Sequence, residues 1–168
     1  MVKVKFKKLH QNAKLPTYAK PGDAGMDLYA CLNMVLGLGE TPSEEVVWYL
    51  SQGNRILIPT GLSMELPLGY EAQIRPRSGL ALKEGITVLN SPGTIDAAYR
   101  GAVGIILINH TNIVNSRMEN TFLKSFKIKN GMKIAQMVIK KVEQAEIEEV
   151  DELSDSERGS DGFGSTGL

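Results

Sequence analysis

The chain has 168 residues, 42% hydrophobic and 23% charged, which suits one soluble domain with a real core rather than two full domains. Its 19 Lys plus Arg balance its 19 Asp plus Glu, so no broad basic field is available for a nucleic-acid duplex. Cys31 is the single cysteine, which excludes an internal disulfide framework, and with two histidines distant from it in sequence no His/Cys cluster argues for zinc.

The opening residues MVKVKFKKLH are charged and no apolar segment follows them, so they are not read as a signal peptide. Val2, Val4 and Phe6 alternate with Lys3, Lys5 and Lys7, the pattern of a half-buried strand with a solvated lysine face. Residues 32–53 break the rhythm: an apolar, Gly-interrupted piece precedes Thr41-Pro42-Ser43-Glu44-Glu45, where Ser43 is placed to cap a short helix. Strands are then expected over Arg55–Ile58, Glu71–Arg75, Ile86–Leu89, Ala102–Ile108, Ser125–Ile128 and Ile134–Lys140. Pro59-Thr60-Gly61, Pro67-Leu68-Gly69, Ser91-Pro92-Gly93 and Asn130-Gly131 punctuate them. Residues 111–124 are polar and read as a loop or excursion. Many short strands with Gly and Pro turns, and no strand–helix alternation, point to an all-β sandwich or barrel. The apolar run Ile105–Ile108 is far too short to span a bilayer, so a soluble, cytoplasmic protein with no membrane partner is expected.

From Glu143 to Glu157 the chain has eight acidic residues and no basic one, a composition that stays solvated. The stretch from Arg158 to Gly167 then has four glycines in ten residues, too few packing groups for a core. Residues 1–142 are expected to form the β core, and 143–168 an acidic run and a Gly-rich tail that is either disordered or ordered only when it meets a ligand.

Three loops carry the chemistry. In Pro76-Arg77-Ser78-Gly79-Leu80-Ala81, Pro76 and Gly79 are expected to shape a tight turn whose backbone N–H groups converge on an anion. Ser78 adds a hydroxyl there, and Arg77 a planar fork suited to phosphate oxygens. Asp96, between Ile95 and Ala97, is a carboxylate able to take a proton from water, and Tyr99 presents an aromatic face three residues on. The third loop, Ala24-Gly25-Met26-Asp27-Leu28, places a second carboxylate beside a glycine. Singly, each of these also fits an ordinary surface turn.

Their order is more specific. Pro21 to Ala30, Arg75 to Ala81, Asn90 to Gly101, Gly131 to Gln136 and Arg158 to Gly167 resemble the five ordered motifs of the trimeric dUTPase family, and the resemblance spans nearly the whole chain. It implies a jelly-roll-like β-sandwich and a homotrimer in which active sites lie between subunits and the C-terminal arm of one closes over a site built by the other two. It implies hydrolysis of dUTP to dUMP and pyrophosphate, with Asp96 activating a water that attacks the α-phosphorus. That reaction limits uracil incorporation into DNA and supplies dUMP for thymidylate synthesis.

The resemblance assigns roles residue by residue. Arg77, Ser78, Gly79 and Gln136 line the phosphate chain. Asn90, with nearby Gly93, reads the uracil edge, and Tyr99 packs on the deoxyribose. Arg158, Ser165 and Thr166 clamp the outer phosphates with Gly164 between them, while Phe163 stacks on uracil. Asp27 holds a hydrated Mg²⁺ through water, the metal being carried mainly by the triphosphate. Two departures stand out: Met132 stands where the family has an acidic residue before a basic one, here Lys133, and Asp161 stands where a small residue is common. The related dCTP deaminases fit the Asn90–Gly101 motif less well.

Overall fold

The structure is a computed structural model that describes residues 1–34, 46–111 and 125–161. Its elements in chain order are β1 Lys5–Lys8, β2 Thr17–Tyr18, β3 Met26–Tyr29, a 3-10 turn Leu32–Met34, β4 Val47–Leu50, β5 Arg55–Pro59, β6 Leu62–Glu65, β7 Tyr70–Arg75, α1 Ser78–Glu84, β8 Ile86–Val88, β9 Gly93–Ile95, β10 Gly104–Asn109, β11 Phe126–Lys129 and β12 Lys133–Lys141. The helix start expected at Ser43 lies outside the described residues, as does all of the 111–124 excursion beyond Thr111.

Strands dominate because the apolar positions repeat every second residue. In β10, Ile105 and Leu107 are buried while Gly104 is exposed and Ile106 is half-buried. In β7, Ala72 and Ile74 point inward between half-buried Glu71, Gln73 and Arg75. β12 is different: Ile134, Ala135, Met137 and Val138 are all buried, and its register shifts between Lys133 and Ala135. It is the central strand of a five-stranded sheet ordered β2-β3-β12-β7-β9, and so has neighbours on both edges.

That sheet packs against a three-stranded one, β5-β10-β8, to form the sandwich. Met26, Leu28, Ile74, Ile95 and Met137 from the first share one apolar cluster with Ile58, Ile86, Val88, Ile105 and Leu107 from the second. Two antiparallel pairs, β1–β6 and β4–β11, close the rim. The fold is all-β, as the turn spacing indicates. The alternating N-terminal segment enters its strand only at Lys5, with Phe6 packed on the core and Lys5, Lys7 and Lys8 exposed.

One expectation is corrected. The Pro76–Ala81 segment is not a free tight turn: Ser78 opens the seven-residue helix α1. Leu80 anchors that helix in the core, and Ala81, Leu82 and Lys83 are strong helix formers. Gly85 ends the helix in the left-handed region at φ 65°, where a side chain would be strained.

Candidate active site

Sheet register builds the first part of the site. Gln136 on β12 faces Asp27 on β3 at one edge and Arg75 on β7 at the other, so one row crosses three strands. Just beyond Arg75 the chain turns through Pro76 and Arg77 into α1. This delivers Arg77, Ser78 and Gly79 to the same end of the sheet as Gln136. Together with Asp23, Gly25, Asp27 and Lys133 they line a cleft of about 400 Å³.

The polar groups of the cleft are cross-braced. Arg77 Nε lies 3.2 Å from Asp27 Oδ1, and Lys133 Nζ lies 2.6 Å from Asp27 Oδ2. Arg77 Nη1 also donates to the Lys133 carbonyl at 3.1 Å. Hydrogen bonding to Asp27 holds the Lys133 ammonium above its ordinary pKa. Gln136 Nε2 donates to the Pro76 carbonyl at 2.9 Å, which fixes the orientation of its amide. Gly25 leaves room for this amide, since a Cβ at that position would collide with Gln136 Oε1 and push the side chain aside.

Gly79 needs neither a left-handed φ nor room for a protein neighbour, because a Cβ there would meet nothing within 4 Å. Its bare backbone faces open space at the cleft, which suits the approach of a ligand. The first amides of α1 have no preceding carbonyl within the helix. Arg77 stands at the N-cap, where its guanidinium has no acceptor to offer those amides, and the side chain reaches Asp27 instead.

The second part lies elsewhere. Asp96 follows β9 and is exposed, with no side-chain partner among the described residues. Asp96, Tyr99, Thr94 and Ala102 line a separate cavity of about 170 Å³. The Asp96 carbonyl accepts the Tyr99 N–H at 3.1 Å, which closes a turn. Tyr99 folds its ring over Gly101, where a Cβ would strike it, and its hydroxyl donates to the Ala102 carbonyl at 3.0 Å. Arg100 Nη1 donates to the Ala97 and Tyr99 carbonyls at 2.6 and 2.9 Å, locking the loop further. Asn90 is exposed; its Nδ2 lies 3.2 Å from where a Cβ on buried Gly93 would sit.

The register separates the two parts. Ile95 pairs with Ala72, so Asp96 falls level with Glu71, four residues along β7 from Arg75. At the usual strand rise that is roughly 13 Å along the sheet. Within one chain, Asp96 is therefore out of hydrogen-bond reach of the Gln136 row.

The third part is the C-terminal segment. Residues 143–161 are exposed, and Ile147 and Leu153 hold their side chains in solvent at 92% and 88% exposure. Arg158 Nε donates to the Asp161 carbonyl at 2.9 Å, within its own turn and away from the cleft. Phe163, Gly164, Ser165 and Thr166 lie outside the described residues.

Among the described residues no three His, Cys, Asp or Glu side chains gather as a metal cage. Each oxygen of Asp27 already meets a cation, and Asp23 Oδ2 accepts the Lys20 N–H at 2.8 Å. These carboxylates at the cleft fit a metal that arrives on a phosphate chain and keeps its own waters.

Reading by motif spans two further cleft residues, Asp23 and Lys133, but assigns them no role. Lys133 follows Gly131-Met132 directly, and the register shift that places it is a property of strand pairing. At the Met132 departure the side chain packs against the core, and no described residue replaces the acidic charge lost there.

The dUTPase family model matches residues 11–167. The chain is 52% identical to the deoxyuridine 5'-triphosphate nucleotidohydrolase of Clostridium tetani, over 98% of this chain and 96% of that protein. It is 50% identical to the corresponding protein of Clostridioides difficile over the full length of both. Among solved structures, the dUTPase of Staphylococcus bacteriophage 80alpha with dUpNHpp superposes with a TM-score of 0.78 at 27% identity, covering 99% of each chain. A cleft built from the second and fourth motifs, on a sandwich shared with these proteins, leads to one conclusion: the chain belongs to the dUTPase family.

Proposed function

We propose that this chain hydrolyses dUTP to dUMP and pyrophosphate, with Asp96 activating the water that attacks the α-phosphorus. The observation that carries the reading is the convergence of Arg77, Ser78, Gly79 and Gln136, from two sequence-distant motifs, on one polar cleft. A braced guanidinium, a hydroxyl, bare backbone N–H groups and an oriented amide form a donor set for phosphate oxygens.

Asp96 needs a second copy to act on a triphosphate bound there, because on its own chain it stands roughly 13 Å along the sheet. A homotrimer with shared sites meets that need. The outer face of β5-β10-β8 suits burial against another copy: Leu57 is 61% exposed and lies against Gly104, with half-buried Ile106 opposite it in register. In that assembly the Asp96 carboxylate takes the proton of the attacking water, a role typically contributing about 10²–10⁴ in rate.

Asn90 and Gly93 read uracil in the hairpin, and Tyr99, held by its hydroxyl bond, packs on the deoxyribose and leaves no room for a ribose 2'-hydroxyl. The arm brings Arg158 to the outer phosphates and Phe163 to the base, with Gly164, Ser165 and Thr166 closing the cavity. Mg²⁺ carried by the triphosphate supplies charge neutralisation, and Asp27 and Asp23 are the carboxylates placed to meet its water shell. The reaction limits uracil incorporation into DNA and supplies dUMP.

The test is pyrophosphate release from dUTP by the wild type, by Asp96→Asn and by a chain truncated after Glu157. Turnover is expected from the wild type and a loss of orders of magnitude from both variants. Cleavage of dTTP, dCTP and UTP as fast as dUTP would refute the pocket assignment.

A further inference from the structure

We propose that Lys133 is a positioning residue of the phosphate cleft, holding the Asp27 carboxylate that in turn fixes the Arg77 guanidinium. This deepens the proposed function and rests on it for the identity of the ligand.

Lys133 touches both members of the pair it would hold. Its ammonium lies 2.6 Å from Asp27 Oδ2, and its carbonyl accepts from Arg77 Nη1 at 3.1 Å. Asp27 Oδ1 meets Arg77 Nε at 3.2 Å. Two of the three guanidinium nitrogens are thus fixed, and Nη2 is left without a partner among the described residues. An ion pair at Nε and a hydrogen bond from Nη1 restrict the guanidinium, so its remaining N–H edge is partly organised before a ligand arrives.

The register shift between Lys133 and Ala135 makes this arrangement possible. Lys133 pairs with Tyr29 and Gln136 with Asp27, so in a flat ladder the lysine would sit three residues away from Asp27 in register. The shift sets Lys133 opposite Tyr29 instead, two residues from Asp27 and on the same face of the sheet. The Asp27 side chain is only 13% exposed, against 34% for Arg77 and 41% for Lys133, so the carboxylate is enclosed by the two cations it joins. Removing Lys133 would leave Oδ2 without its cation and the carboxylate free to turn away from Arg77.

Three roles for Lys133 make different predictions. As a positioning residue it acts only through Arg77. As a direct phosphate ligand it acts independently of Arg77. As a partner of a metal-bound water network, through Asp27, it acts only when metal is present.

The experiment is calorimetric titration of dUpNHpp into the full-length protein, with and without Mg²⁺. The proteins compared are wild type, Lys133→Met, Lys133→Arg, Arg77→Ala and the Arg77→Ala/Lys133→Met double variant. Lys133→Met is expected to weaken binding about tenfold, by the same ratio with and without Mg²⁺, and Lys133→Arg to restore most of it. In the Arg77→Ala background the same change is expected to cost less than about twofold.

An unchanged affinity for Lys133→Met, an equal loss in the Arg77→Ala background, or a loss confined to Mg²⁺ would each overturn the proposal. If Lys133→Met melts too low to be titrated, Lys133→Gln takes its place in the cycle. Failure of the wild type to bind dUpNHpp at all would instead overturn the functional reading on which this inference stands.

Discussion

The phosphate cleft and the Asp96 loop are built on opposite plans. In the cleft, Asp27, Arg77, Lys133, Gln136 and Pro76 hold one another through ion pairs and hydrogen bonds. In the loop, the backbone and Tyr99 are pinned, while the Asp96 carboxylate stands exposed with no side-chain partner among the described residues. Groups that bind a charge gain from being fixed in advance, since their dipoles then need no rearrangement. A carboxylate meant to receive a proton must keep its lone pairs free for water.

The contrast is sharpest at Asp96 itself. Asp96→Asn is expected to lower kcat by about 10³ with little change in melting temperature, because the side chain makes no bond to any other described residue. A melting point that fell with activity would show the loop carboxylate to be structural.

Gly25→Ala attacks the other plan. Its new methyl would displace Gln136 from the amide geometry set by Pro76, so kcat/KM is expected to fall by about 10². Steady-state kinetics on dUTP measure this, and full activity would show that Gln136 tolerates a second orientation.

Tyr99→Phe removes one exposed hydrogen bond to the Ala102 carbonyl, with an expected cost of about 0.5 kcal/mol in denaturant unfolding. A much larger loss would mean that the loop is braced as tightly as the cleft.

The smallest effect concerns pH. The Asp27 pairing raises the folded-state pKa of Lys133 above its ordinary 10.5. Its contribution is fully present below that ordinary value and is lost as pH rises through the folded one. The melting-temperature gap between the wild type and Lys133→Met is expected to close over that alkaline range. A constant gap would point to packing of the lysine stem rather than charge.

Much of this architecture is legible in sequence. Alternation in Glu71–Arg75 and Ala102–Ile108 locates β7 and β10 because side chains in a strand point to opposite faces. Ser91-Pro92-Gly93 and Asn130-Gly131 mark turns for equally local reasons. The helix from Ser78 is obscured by Pro76 just before it and Gly79 within it, turn residues by type, and only the packing of Leu80 commits the segment to α1. The ion-pair triad is invisible for a different reason: Asp27, Arg77 and Lys133 are about fifty residues apart from one to the next, and spacing along the chain carries no information about charges that meet across strands.

The sequence by itself determined the all-β class, the position of most strands and the order of five motifs, because these depend on side-chain periodicity and local backbone preference. Tertiary structure alone decided that β12 runs between β3 and β7, bringing Gln136 level with Asp27 and Arg75. It also decided that Asp96 lies level with Glu71, beyond reach of that row on its own chain. Strand order and register are set by how whole faces bury against one another, and no single segment contains that information.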